Sequence, residues 1–434
     1  MNWVEGNEVM VPSVNAHSGW RRTMYILMVT SCIVHVSITM VPVFLPQYLQ
    51  AMGVEGPENL TMWMGIIEGS TYLTMFLVLP IWGRLSDRLG YRWMVVRSVL
   101  GTTVVIFLMS LADSPWELLL LRLAEGVVAG FLPTAVTMVG ASAPTRRLQY
   151  SVSMLQVGTS IGIVTGPLFG GWLTSILRDK GNVFSPYQNT FLIVAGMLAL
   201  MTFVIVFALD DVEKERRAGP RGNLFWQCIQ WFRHRLLRKL LVISFLVPIA
   251  VGSYLTLLSY LLQLLLSPGD DRIYWASILF SVTAIATAVA SPWMGKWGDR
   301  WGSYRVFFVC SFGAALFLMG FAFAANQWMI IALSFPLGVC MAGISPSIAA
   351  LLAVAAPRGE IGSVYGFQFS LDSLGRCVGP LLLGSVVVRV VGGMDGLRSV
   401  FIVAGIFSLC TCLMVLPNLF SDGNIGSGHR DRSG

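Results

Sequence analysis

Roughly a dozen apolar runs, each near the ~20 residues a helix needs to cross a hydrocarbon core, follow one another along this chain with short polar turns between them. Few folds accept such a sequence. With 55% hydrophobic and 12% charged residues among 434, the chain has more apolar surface than a soluble domain can hide, so lipid must cover the rest. Lipid cannot hydrogen-bond the backbone, which leaves helices and closed barrels as spanning structures, and the alternation of a membrane barrel is absent. The expected fold class is all-α integral membrane, with twelve transmembrane helices and almost no length left for a soluble catalytic domain.

The chain is also a duplication. Pro80, Gly83, Asp87 and Gly90 return as Pro292, Gly295, Asp299 and Gly302, each 212 positions later. Both copies lie between apolar runs, so each reads as a short charged turn joining two spans at the same membrane face. The glycines let helix ends approach, and Asp87 and Asp299 suit the positive end of a helix. Arg84, Arg88, Arg92, Lys296 and Arg300 suit anionic headgroups and helix C-termini. Gly126 returns as Gly338, and the ladder Gly162, Gly166, Pro167, Gly170, Gly171 returns as Gly375, Gly379, Pro380, Gly384 at an offset that has drifted to 213. Small residues at these intervals let backbones touch where no hydrophobic force drives helices together. Six helices followed by six, with equivalents facing the same way, imply two pseudo-symmetric six-helix bundles related by an axis along the membrane normal, with a cavity between them.

A net charge of +7 invites a nucleic-acid reading, but the charges are not arranged for one. Lys and Arg gather in every second loop. With the N-terminus inside, five fall on the outer side (Arg178, Lys180, Arg272, Arg389, Arg398), three fall within spans, and the remainder of the 29 lie on the inner side. That asymmetry places both termini in the cytoplasm of a multi-pass inner (plasma) membrane protein. No cleavable signal is expected, because the run after Arg21-Arg22 is too long for a signal core. The expected divisions are an N-terminal segment (1–22), a first bundle (23–209), a cytoplasmic linker with an amphipathic helix (210–239), a second bundle (240–418) and a polar tail (419–434). The fourth span is expected as one helix over about 116–140. The prolines Pro42 and Pro46 are expected to stop or kink the first span. The seven cysteines have no metal-ligand spacing and read as small packing residues.

Ionisable groups within spans are costly, so each is a candidate for function. They are Glu68, Arg97, Arg122, Glu125, Asp372 and Arg376, with His35 as the in-span histidine. Arg97 sits close enough to the inner face to snorkel. Arg122 and Glu125 are three apart, and Asp372 and Arg376 four apart, so each pair can meet on one helix face. Either they neutralise each other and merely tolerate burial, or the acids alternate between protonated and paired states. Apolar surroundings raise a carboxyl pKa and an adjacent arginine lowers it, so a change of environment can move a proton. Glu68 has no close basic neighbour along its helix and reads either as the acid best placed to exchange a proton for a cationic substrate or as a hydrogen-bonded core acid; His35 reads either as sharing that proton or as a hydrogen-bonded packing histidine. Trp63, Tyr72, Met138, Tyr260, Tyr365 and Phe369 could line a forgiving apolar pocket.

The loop from Gly83 to Arg92 resembles the signature of the major facilitator superfamily. Arg122-Leu123-Ala124-Glu125-Gly126 resembles its fourth-helix motif, and Gly162 to Gly171 resembles the fifth-helix motif of antiporter members. Pro42 to Tyr48, with Met62-Trp63-x-Gly65-Ile66, is similar to the twelve-helix drug:proton antiporter branch of bacterial multidrug-resistance exporters. One position departs: Glu125 stands where the family often has a neutral polar residue. The resemblance implies alternating access, with inward proton flow driving outward movement of an amphipathic compound and the Asp87 and Asp299 loops latching the cytoplasmic ends. A narrow-substrate carrier for a siderophore, sugar or metabolite would share these features, and a non-transporting scaffold or receptor would have less need of intramembrane acids. The expected partners are the bilayer, protons and a small molecule, with the chain acting as a monomer. Nucleic acid, nucleotide, metal and cofactor are not expected, since no phosphate-cradling loop or nucleophile–base pair is present, and energy would come from the proton gradient.

Overall fold

The computed structural model describes residues 19–55, 57–177, 185–210, 224–265, 272–357, 360–379 and 393–419. The described residues are helical throughout, apart from short turns. The helices are α1 (Trp20–Ala51), α2 (Pro57–Leu89), α3 (Tyr91–Met109), α4 (Pro115–Val128), α5 (Phe131–Ser142), α6 (Leu148–Leu177), α7 (Pro186–Ala208), α8 (Leu224–Arg233), α9 (Arg235–Leu265), α10 (Arg272–Trp301), α11 (Ser303–Phe321), α12 (Gln327–Ala355), α13 (Ile361–Gly379) and α14 (Gly393–Leu419). Among the described residues, eight stretches are long and apolar enough to cross a membrane by length and composition. Large apolar side chains such as Leu120, Phe207, Val309 and Phe323 face outward on the bundle surface, as lipid-bathed helices require.

The duplication is visible in the packing. In the first half α1 packs on α6, α2 on α4 and α3 on α7; in the second, α9 packs on α13, α10 on α12 and α11 on α14. The halves meet along two seams, α2 with α13 and α6 with α10. The glycine ladders lie on intra-half seams. A Cβ at Gly162 would stand 2.5 Å from the Cys32 carbonyl on α1, and one at its repeat partner Gly375 would stand 2.7 Å from the Phe245 carbonyl on α9.

Three expectations need correction. The signature stretch is not a loop: α2 runs through Pro80 to Leu89, and a single residue, Gly90, joins it to α3. Gly90 has φ of 104° and its repeat partner Gly302 has φ of 94°, a region other residues avoid, so one glycine suffices for each turn. The prolines at 42 and 46 do not stop the first helix, whose backbone continues to Ala51. The fourth span is two helices, α4 and α5, parted at Ala129 and Gly130.

Helix α9 begins where the linker helix α8 ends. Trp231 on α8 is buried, donates from Nε1 to Glu360 Oε2 at 3.0 Å, and lies 5.9 Å from the Phe367 ring on α13. The linker helix therefore rests on the start of α13. The polar part of the linker (211–223) and the tail beyond Leu419 lie outside the described residues.

Candidate functional site

Where the two signature stretches meet the opposite half, each presents an aspartate to the start of a helix. Asp87 is 1% exposed. Its Oδ1 accepts from the Gly362 N–H at 2.7 Å, and its Oδ2 accepts from the Ser363 N–H at 2.7 Å and the Ser363 hydroxyl at 2.6 Å. Asp299 accepts from the Gln149 N–H at 2.9 Å and the Tyr150 N–H at 3.0 Å. Residues 149 and 150 are the second and third of α6, and 362 and 363 are the second and third of α13, so each carboxylate takes two of the orphan donors at a helix N-terminus. Burial pushes the Asp299 carboxyl up to about 6, against the pull of both amides and of Arg147.

The first seam closes because side chains are missing from it. Gly83 faces Gly362 and Gly366, and a Cβ added at Gly83 would come 2.7 Å from the Gly366 Cα. At the second seam a Cβ on Gly295 would come 2.6 Å from Ser153 Oγ, while Gly298 lies under the Gln149 side chain. Sequence reasoning missed Gln149. It is buried, donates from Nε2 to Ser347 Oγ at 2.9 Å and accepts from Ser303 Oγ at 2.6 Å, linking α6 to α11 and α12. Its repeat counterpart is Gly362, so nothing in the repeat marked it.

Arg92 Nη2 donates to the Val206 carbonyl in the last turn of α7, as expected of a cation near a helix C-terminus. Lys296 Nζ lies 5.8 Å from the Tyr150 ring centroid. Arg84 is half-buried, whereas Arg88 and Arg300 are exposed.

Deeper in each half the ion pairs form. Arg122 Nη1 lies 2.8 Å from Glu125 Oε2, with both side chains almost fully buried. Arg376 Nε lies 2.7 Å from Asp372 Oδ2, with side chains 38% and 21% exposed, so this pair is less enclosed than the first. His35 Nδ1 hydrogen-bonds to the Ser31 carbonyl at 2.8 Å. The side chains of Glu68 and Tyr260, together with Pro380 and Gly384, lie outside the described residues; Gly171 is described only as backbone within α6. Pro167 lies inside α6 and Gly379 ends α13.

Of the residues expected to line a pocket, two are closed into helix packing in this conformation. Met138 is 0% and Tyr365 1% exposed, and the Tyr365 hydroxyl donates to the Ala349 carbonyl at 2.5 Å, so both are closed into helix packing. Trp63 stands edge-on to Trp116 at 4.8 Å, and Trp116 is exposed on the bundle surface. Tyr72 and Phe369 are half-buried. Arg97 does not snorkel. Its Nη1 donates to the Val128 carbonyl at 3.2 Å and its Nη2 to the Ala129 carbonyl at 3.3 Å, where α4 ends.

Known proteins resemble this chain in sequence and in fold. The family model described as Major Facilitator Superfamily matches residues 27–269 and again 240–424. Multidrug resistance protein MdtG of Dickeya zeae is 28% identical over 403 residues, covering 92% of this chain and 93% of that protein. MdtG of Serratia proteamaculans is 28% identical over 92% of each. Among solved structures, the human organic anion transporter MFSD10 (TETRAN) superposes with a TM-score of 0.76 at 16% identity, covering 91% of this chain and 99% of that one. The E. coli fucose:proton symporter FucP gives 0.73 at 15%, covering 92% and 98%. Two matched halves, paired helices in the same order and a shared fold lead to one assignment: the chain belongs to the Major Facilitator Superfamily.

Proposed function

We propose that this protein is a proton-coupled exporter of small amphipathic compounds, seated in the inner membrane with both termini in the cytoplasm and acting as a monomer. The observation that carries the reading is the pair of cross-half caps at Asp87 and Asp299, which join the two halves at one end through hydrogen bonds a rocking motion can break. Lys and Arg concentrate at that end, which makes it cytoplasmic under the positive-inside rule, so the conformation described is shut toward the cytoplasm. The relatives named multidrug resistance proteins support a broad substrate range. The caps would open and close the inner gate while the acids carry charge, with Glu125 and Asp372 each beside an arginine and Glu68 as a third proton site. The proton gradient supplies the energy, with no cofactor.

The test is proton movement in proteoliposomes holding purified protein, with a panel of lipophilic cations added and the measurement repeated for Glu68→Gln, Glu125→Gln and Asp372→Asn. Substrate-driven proton flux that at least one substitution abolishes is the expected result. A wild-type protein that moves no protons for any compound in the panel defeats the antiport reading.

A further inference from the structure

The break in the fourth span is built from three side positions that the second half lacks. At Ala129 the backbone leaves the helical region, with φ of −53° and ψ of 168°, and Gly130 follows with φ of 125°. The end of α4 therefore turns its last carbonyls out of the helical ladder within a span where lipid offers no donor. Two side chains supply donors. Trp82 Nε1 donates to the Val127 carbonyl at 2.7 Å, and Arg97 donates to Val128 and Ala129. The Arg97 guanidinium also lies 3.8 Å from the Trp82 ring centroid, a cation–π contact that holds the two donors as one unit. Displaced by 212, Trp82, Arg97 and Gly130 become Met294, Val309 and Ala342. There the equivalent helix, α12, is unbroken from Gln327 to Ala355.

The two pieces have different allegiances. α4, which carries Arg122 and Glu125, packs on α2 of its own half; α5 packs on α13 of the other half as well as on its own neighbours. Trp82 adjoins Gly83, which lies in the seam with α13.

We propose that the Ala129–Gly130 break is a hinge peculiar to the first half, with Arg97 and Trp82 as positioning residues. Through it α5 follows the seam with α13 while α4 keeps its ion pair seated on α2. Arg97 and Trp82 satisfy the freed carbonyls in both positions, so bending does not strand polar backbone in lipid. The inference rests on the transporter reading above.

The test makes the first half resemble the second with the triple substitution W82M/R97V/G130A. Spin labels at Leu120→Cys and Arg146→Cys, on either side of the break in a background without native cysteines, report the bend by pulsed electron resonance, with and without Asp87→Asn to release the seam. The expected result is a 120–146 distance that changes on seam release in the otherwise native protein and stays fixed in the triple variant. Transport of tetraphenylphosphonium in proteoliposomes should lose at least tenfold in kcat with KM within twofold, and Arg97→Lys, which keeps a donor at the carbonyls, should retain kcat within threefold of wild type. Should the triple variant fail to fold, R97V and W82F singly, with the same distance and kinetic readouts, take its place. A distance that stays fixed in the native background on seam release, or a hinge variant with wild-type kcat, overturns the hinge. A wild-type protein that transports nothing overturns the transporter reading, and the distance measurement still decides the hinge.

Discussion

Asp87 and Asp299, 212 residues apart in the chain, cap each other's halves in the same way: each carboxylate takes the second and third amide of the helix facing it, α13 for Asp87 and α6 for Asp299. The two caps are unequal. Asp87 has three short donors and is fully buried, whereas Asp299 has two and is half-buried.

Asp87→Asn should therefore open the seam more than Asp299→Asn. Hydrogen bonds to a charged group contribute about 1.5–3 kcal/mol each, so a net loss of about 2 kcal/mol at Asp87 moves the closed-to-open ratio roughly 30-fold. Spin-label distances across the seam in nanodiscs read this directly. Equal populations in both variants and the wild type would show that the caps do not hold the gate.

Acidity should tighten the Asp299 cap. The closed seam holds this carboxyl at about 6, above its ordinary 3.8, so the closed arrangement binds a proton more tightly than an open one in which Asp299 meets water. Closure gains as pH falls from 7 through about 6 toward 4, and that contribution is lost as pH rises through 6. Asp299→Asn should flatten the seam-distance profile in this window; an unchanged profile would assign the dependence to other groups.

A methyl group at the first seam should keep the halves apart. Gly83→Ala or Gly366→Ala places a Cβ against opposing backbone, whereas Gly69→Ala and Gly196→Ala place one where nothing lies within 4 Å. The seam substitutions should reduce transport tenfold or more and shift the population toward the open state, while the other two leave transport unchanged and stabilise the helix by about 0.5–1 kcal/mol. Thermal unfolding monitored alongside transport separates the two effects.

The Arg122–Glu125 pair separates stability from function. Glu125→Gln removes the carboxylate 2.8 Å from a buried guanidinium and should destabilise the protein by about 3–5 kcal/mol, whereas R122M/E125L, which removes both members of the pair, should restore the melting temperature to within a few degrees. Under the proposed function the double variant is nonetheless inactive. Full transport by R122M/E125L would make the pair a packing feature only.

The sequence by itself determined the class of fold and its internal symmetry. Apolar run length admits only membrane helices, and the 212-residue displacement of Pro80, Gly83, Asp87 and Gly90 requires two like halves. It also determined that Arg122 meets Glu125 and Asp372 meets Arg376, because helical spacing alone brings those pairs together. What it could not determine lies between helices distant in the chain. That Asp87 reaches Gly362 and Ser363 of the other half, that Gln149 joins three helices, and that Tyr365 closes into packing depend on which faces meet, and period and composition do not encode that choice. The break at Gly130 is of the same kind. A glycine within an apolar run reads as packing, and it takes Trp82 and Arg97, brought in from α2 and α3, to satisfy carbonyls where the helix parts.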